Sequence, residues 1–165
     1  MKMLRWLIVP LLSIGLSAQA QLQRADTKES LRGLDGVYVV VQMVDEHPAG
    51  VTTNHIMALV KSALAEAGIP TTAAPKRANG DANLSVTVDL IRQPQLDVYA
   101  FTVEVAVTQN VRLTRPARAD AMSAETWRRT LQGITSPDRL DVVDLALKQC
   151  MNLFAKDYQA VNPGK

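Results

Sequence analysis

The sequence has little cysteine, few aromatic residues and almost no net charge. One cysteine in 165 residues excludes a disulfide-stapled scaffold; it is Cys150, which lies in an apolar helical pattern and is expected to be a buried small hydrophobe. The net charge of +2 and the 4% of aromatic residues argue against a nucleic-acid-binding protein, which needs a basic face and stacking side chains. The 47% hydrophobic content indicates a globular protein, and the length suits one domain.

No apolar run is long enough to cross a membrane, but the N-terminus has the pattern of a secretory signal peptide. Lys2 and Arg5 form a positive region, an apolar stretch follows, and the Ala-Gln-Ala sequence at residues 18–20 suits signal peptidase. The apolar stretch is shorter than the roughly 20 residues that a spanning helix needs. We therefore expect cleavage after Ala20 and a periplasmic or secreted protein. Cleavage would remove Lys2 and Arg5, two of the 18 basic residues. The mature chain would then have 16 basic and 16 acidic residues and a net charge near zero.

The composition along the chain predicts three segments. Residues 1–20 are the signal peptide, residues 21–35 are a polar, flexible leader, and residues 36–162 form a single α+β domain. Within the leader, Leu31 and Leu34 could pack one turn against the domain.

Hydrophobic periodicity predicts the strands. Val37–Val44 is apolar on both faces, which is typical of a covered strand. Residues 84–90 and 99–107 alternate apolar and polar side chains and are joined by turn residues at 93–97, so we predict a long hairpin.

Two further segments have weaker strand patterns. Residues 122–132 predict another strand, with Trp127 and Leu131 facing inward. Residues 69–73 predict a short strand.

Two stretches predict amphipathic helices. The first begins at the N-cap Thr52 and ends at Gly68 and Pro70. The second begins at the N-cap Ser136, has Pro137 in its first helical position, and ends at the Asn-Pro-Gly sequence near the C-terminus.

The order of these elements predicts the fold class. Each helix has one apolar stripe and the hairpin has one apolar face, so the elements bury their apolar surface as a two-layer α+β sandwich. We expect a mostly antiparallel sheet of 4–5 strands with two helices on one face. The other face of the sheet would be open and lined by small polar side chains such as Thr87, Thr102 and Thr108.

The two histidines and the nearby Asp45 are the first candidates for a functional site. Asp45, His47 and His55 are weak candidates for a metal site, because they bring oxygen and nitrogen ligands near the start of the first helix. Their spacing matches no zinc motif, and a solvated loop is the favoured interpretation. The sequence contains no nucleophile elbow, phosphate loop or dinucleotide fingerprint, so no cofactor is expected.

Arginine recurs after the hairpin. Arg112, Arg115 and Arg118 stand at every third residue, and Arg128 lies on the next predicted strand. Arginine matches the geometry of phosphate and carboxylate groups, so these four residues are candidates for binding a partner or an anionic ligand. The alternative, which interleaved acidic residues favour, is an ordinary solvated rim.

Three segments resemble known proteins. The Leu-x-Gly-Leu-x-Gly-Val-x-Val pattern in residues 30–41, the Gly-Ile-Pro sequence at 68–70 and residues 154–163 resemble small secreted bacterial proteins of unknown function. The order of strands and helices is also similar to envelope adaptor domains of the lipopolysaccharide-assembly lipoprotein type and of the TolB N-terminal type. This resemblance implies a binding or adaptor module and brings no catalytic motif with it.

The sequence therefore favours an exported, noncatalytic binding or adaptor module of the bacterial cell envelope. Its binding surface would be the open sheet face, an exposed edge strand or the four arginines named above. Its partner would be an envelope protein or an amphipathic or anionic ligand. The alternative is a small periplasmic hydrolase or metal-dependent enzyme that uses the Asp45-Glu46-His47 loop. A third hypothesis is a structural or stress-related secreted protein without a small ligand.

Overall fold

The computed structural model describes residues 27–43, 51–73, 81–111 and 122–164. These ranges form one mixed four-stranded sheet, two long α-helices and a helical segment at residues 27–29, which is the predicted α+β class. In chain order the elements are β1 (Gly36–Met43), α1 (Thr53–Glu66), β2 (Asp81–Gln93), β3 (Val98–Val111), β4 (Met122–Thr135), a 3-10 turn (Pro137–Arg139) and α2 (Asp141–Val161).

The strands lie in the order β1-β2-β3-β4. β1 and β2 are parallel, and the two other pairs are antiparallel, so the sheet is mostly antiparallel as predicted. β1 and β2 are parallel because α1 connects them and carries the chain back to the end of the sheet where β1 began.

The short strand predicted at residues 69–73 is reduced to one bridge beside β1. Val37 pairs with Thr71, the Val37 N–H donates to the Pro70 carbonyl over 3.0 Å, and the Thr72 N–H donates to the Val37 carbonyl over 2.9 Å. Pro70 has no N–H, so it cannot donate to a longer ladder.

The first helix begins and ends as predicted. Thr52 has extended backbone angles, and its side chain accepts a hydrogen bond from the His55 N–H at 3.2 Å, which satisfies one of the free donors of the first turn. Gly68 takes the left-handed conformation, with φ at +70°, that stops the helix.

The start of the second helix differs from the prediction. Ser136 makes no side-chain hydrogen bond to the backbone, a 3-10 turn comes first, and the α-helix begins only at Asp141. Ser136 nevertheless stands at the N-cap of the 3-10 turn with Pro137 in the first position, and the Ser136 hydroxyl lowers the pKa of the Asp138 carboxyl.

One core fills the space between the sheet and the two helices. Alternate side chains of β2 and β3 point into it, and Trp127 on β4 is buried there while Leu131 packs at its margin, as predicted. The largest fully buried side chains include Trp127, Tyr158, Phe154, Leu31, Ile56, Leu64, Leu84, Leu147 and Met151.

The segment at residues 27–34, which is helical at 27–29 and then turns, is joined to the end of α2. Leu31 and Leu34 are buried in the core. The Tyr158 hydroxyl donates to the Leu34 carbonyl over 2.9 Å, and the Gly33 N–H donates to Oδ1 of Asn162 over 2.7 Å. These contacts tie the beginning of the described chain to its last helix.

Candidate functional site

One side of the sheet is covered by the helices, and no described element packs on the other side. We call this uncovered side the open face. Its side chains are Tyr38, Val40 and Gln42 on β1; Asn83, Ser85, Thr87, Asp89 and Ile91 on β2; Ala100, Thr102, Glu104, Ala106 and Thr108 on β3; and Glu125, Arg128, Thr130, Gln132 and Ile134 on β4.

The middle of the open face is lined by small polar side chains. Thr87, Thr102 and Thr108 are partly exposed there, so this expectation is confirmed. Cross-strand bonds hold some of these side chains in place: Gln132 Nε2 donates to Thr102 Oγ1, and Thr130 Oγ1 donates to the Glu104 carboxylate. These two contacts link β3 and β4 on the open face.

One end of the open face is apolar, which the sequence analysis missed. Ile91, Ala100 and Ile134 lie opposite one another on three neighbouring strands and form a single row. Ile91 is 53% exposed and Ile134 is 73% exposed. The sequence signal is weak, because Ile91 follows another apolar residue at the end of the alternating segment and Ile134 lies beyond the predicted end of β4.

Of the four arginines predicted to bind a partner or an anionic ligand, only Arg128 lies within the described residues. Its guanidinium is hydrogen-bonded to Glu125 and lies 3.5 Å from the Glu104 carboxylate. The hydrogen bond to Glu125 and both negative charges raise the pKa of Arg128. Two nitrogens of the Arg128 guanidinium, Nη2 and Nε, thus face carboxylates of its own chain. Arg112, Arg115 and Arg118 lie outside the described residues.

The open face carries more negative than positive charge in the described ranges. Asp89, Glu104 and Glu125 are acidic, whereas Arg128 is basic. The described part of the open face therefore has a small excess of negative charge.

His55 joins the two helices rather than a metal cluster. Its Nε2 lies 2.8 Å from Oδ2 of Asp144, so the pair connects the first turn of α1 with the first turn of α2. The candidate ligands Asp45 and His47 lie outside the described residues. In the part of the chain that the structure describes, no three His, Cys, Asp or Glu side chains converge as a metal site would require.

A buried polar cluster fixes β4 to α2 beneath the open face. Oδ2 of Asp157 accepts hydrogen bonds from Trp127 Nε1 and from Arg129 Nη2, each at 3.1 Å. The Arg129 guanidinium also lies 4.9 Å from the Trp127 ring centre. Nearby, burial raises the pKa of the Cys150 thiol, and the charge of Arg129 opposes that effect. Sequence reasoning did not find this cluster, because its members come from distant segments.

Comparisons with known proteins find structural neighbours only. No protein family model and no curated protein matches this chain. A minor lipoprotein from Acinetobacter baumannii has a TM-score of 0.39 and 9% identity, over 76% of this chain and 93% of that chain. An uncharacterized protein has a TM-score of 0.37 and 13% identity, over 77% and 94%. Both TM-scores are below 0.5, so neither neighbour indicates a function for this chain.

Within the described ranges, neither helix combines the length and the apolar character that crossing a membrane demands.

Proposed function

We propose that this chain is an exported, noncatalytic binding or adaptor module of the bacterial cell envelope, and that its open face contacts a partner protein. The observation that carries the proposal is the uncovered side of the sheet, where Ile91 and Ile134 are exposed next to ordered polar side chains. Adjacent apolar side chains on a surface with a polar surround are typical of protein interaction sites.

The arrangement on the open face suits protein recognition. The row of Ile91, Ala100 and Ile134 supplies apolar area, whose burial contributes about 25 cal/mol per Å². The hydroxyl and amide groups beside it are held by cross-strand hydrogen bonds, so binding costs less side-chain entropy. A peptide surface with apolar and basic side chains matches both features.

The location rests on the sequence. The positive, apolar and small-residue pattern of residues 1–20 supports export, and it lies outside the described residues. The resemblance to envelope adaptor domains supports the same location and remains a prediction.

The proposal is tested by affinity purification of the mature protein from the envelope of the cells that produce it. The test variant is Ile91→Asp, and its matched control is Leu145→Asp, because Leu145 is 57% exposed but lies on α2, in the helix layer. We expect wild type and Leu145→Asp to retain the same partner protein, and Ile91→Asp to lose at least about ten-fold of it, since the substitution removes the apolar side chain from the contact. Equal recovery with both variants would refute the open face as the binding surface.

A second experiment tests whether the chain binds an anionic ligand instead of a basic protein surface. Vesicles of neutral lipid and vesicles containing anionic lipid are mixed with the mature protein in a flotation assay. We expect no binding to either. Selective binding to the anionic vesicles would favour the ligand alternative instead of a basic protein surface.

A further inference from the structure

β4 is an edge strand, and in the described ranges no strand pairs with its outer side. Its first part is shielded. The register with β3 shifts between Val107 and Thr108, which makes β4 irregular around Thr126, and the Ser30 hydroxyl donates to the Thr126 carbonyl over 3.0 Å. A bulge and a covering segment are two of the ways in which proteins keep an edge from pairing with another strand.

The rest of β4 is less shielded, although Arg129 Nη1 donates to the Arg128 carbonyl over 2.7 Å. From Trp127 to Thr135 its pairing with β3 is uninterrupted. The last six residues, Thr130–Thr135, contain no charge and no proline, and they include the exposed Ile134. A regular, uncharged edge of this kind readily accepts a further strand.

The two arginines of β4 do not protect this edge by their charge. Arg128 is paired with Glu125 and Glu104, and Arg129 is paired with Asp157. Each positive charge is therefore offset within its own chain. The full chain has a net charge of only +2, and the expected loss of Lys2 and Arg5 brings it near zero, so two copies would repel each other little.

We propose that the outer edge of β4 binds β4 of a second copy of this chain, antiparallel, about a two-fold axis at Leu131. Leu131 is the midpoint of the regular segment 127–135, so residue 127 of one copy would pair with residue 135 of the other. This register gives the two β4 strands their longest overlap without the irregular part around Thr126. A two-fold dimer uses the same surface on both copies, which is the commonest form of homo-oligomer.

This register matches the side chains on both faces of β4. On the open face, Ile134 lies opposite Arg128 of the second copy, whose methylene groups it can cover, and Thr130 lies opposite Gln132. On the helix side, Gly133 lies opposite Arg129, and no like charges face each other. The dimer would join two sheets into one and place both open faces on the same side.

The test is sedimentation equilibrium of the mature chain, residues 21–165, over a wide concentration range. Wild type is expected to form dimers. Ile134→Lys places a cation opposite Arg128 of the second copy twice per dimer and should raise the dimer dissociation constant at least about ten-fold. Ile134→Glu removes the same side chain but places a carboxylate there, so it should dimerise more tightly than Ile134→Lys by a similar factor. Leu145→Lys on α2 is the control and should dimerise like wild type.

Hydrogen exchange of wild type gives a readout that needs no variant. Amides of residues 128–135 should become slower to exchange as concentration rises, whereas those of β1 should not change. A monomer at every concentration, or equal weakening by Ile134→Lys and Ile134→Glu, would overturn the proposal. The inference does not depend on the proposed function, because Ile91 lies two strands away and Ile91→Asp should leave the dimer intact.

Discussion

The ring of Phe101 occupies the space that a side chain at Gly133 would need. The two residues are paired across β3 and β4, and a Cβ atom at residue 133 would lie 2.7 Å from two carbons of the ring. Phe101 is itself buried in the core, so its ring is not free to swing away. This contact holds the end of β4 that presents Ile134 on the open face.

Gly133→Ala should destabilise the protein by about 1–3 kcal/mol, because the added methyl group overlaps a buried ring. Urea unfolding measures the change. In a Phe101→Leu background the same substitution should cost less, since the smaller side chain leaves space. A Gly133→Ala variant as stable as wild type would show that the ring can move at little cost.

Asp157→Asn should destabilise the protein by about 1–3 kcal/mol, because Arg129 loses its counter-charge in a largely buried position. Thermal or urea unfolding gives the value. The control is Glu29→Gln, which breaks the exposed pair with Arg32 and should change stability by less than about 1 kcal/mol. Equal effects of the two substitutions would contradict a structural role for the buried cluster.

Cys150 predicts a pH dependence of stability. Burial raises the pKa of its thiol in the folded state, so the unfolded chain ionises first as the pH rises. The folded state then binds more protons than the unfolded state, and the free energy of unfolding falls from the ordinary thiol pKa of about 8.5 up to the folded pKa.

Unfolding of wild type and Cys150→Ala should be compared at neutral and alkaline pH. Cys150→Ala leaves a small cavity and should be less stable at neutral pH, but the difference from wild type should shrink as the pH rises. A difference that stays constant over this range would contradict the raised pKa.

Local patterns predicted much of the fold. Period-two alternation found β2 and β3, and the threonines of the open face followed from it. The caps Thr52 and Gly68 set the bounds of α1, because each acts through its own neighbouring backbone. Ser136 stands at the N-cap of a helical turn with Pro137 in its first position, as predicted, but that turn is 3-10 and the α-helix begins only at Asp141.

The candidate site was harder to predict, because its features depend on residues far apart in sequence. The apolar row forms only when β2, β3 and β4 are in register, so neither Ile91 nor Ile134 stands out alone. Arg128 was singled out for its charge, but the carboxylates that engage it come from its own strand and from β3.

The central claim is that a partner protein binds the open face. The most direct test is photocrosslinking in the cells that produce the protein, with a photoreactive amino acid at Ile91 or, as the control, at Leu145. These positions are 53% and 57% exposed and lie on opposite layers of the fold. We predict a discrete adduct with another protein from position 91 and none from position 145. An adduct from position 145 alone, or from neither position, would contradict the claim.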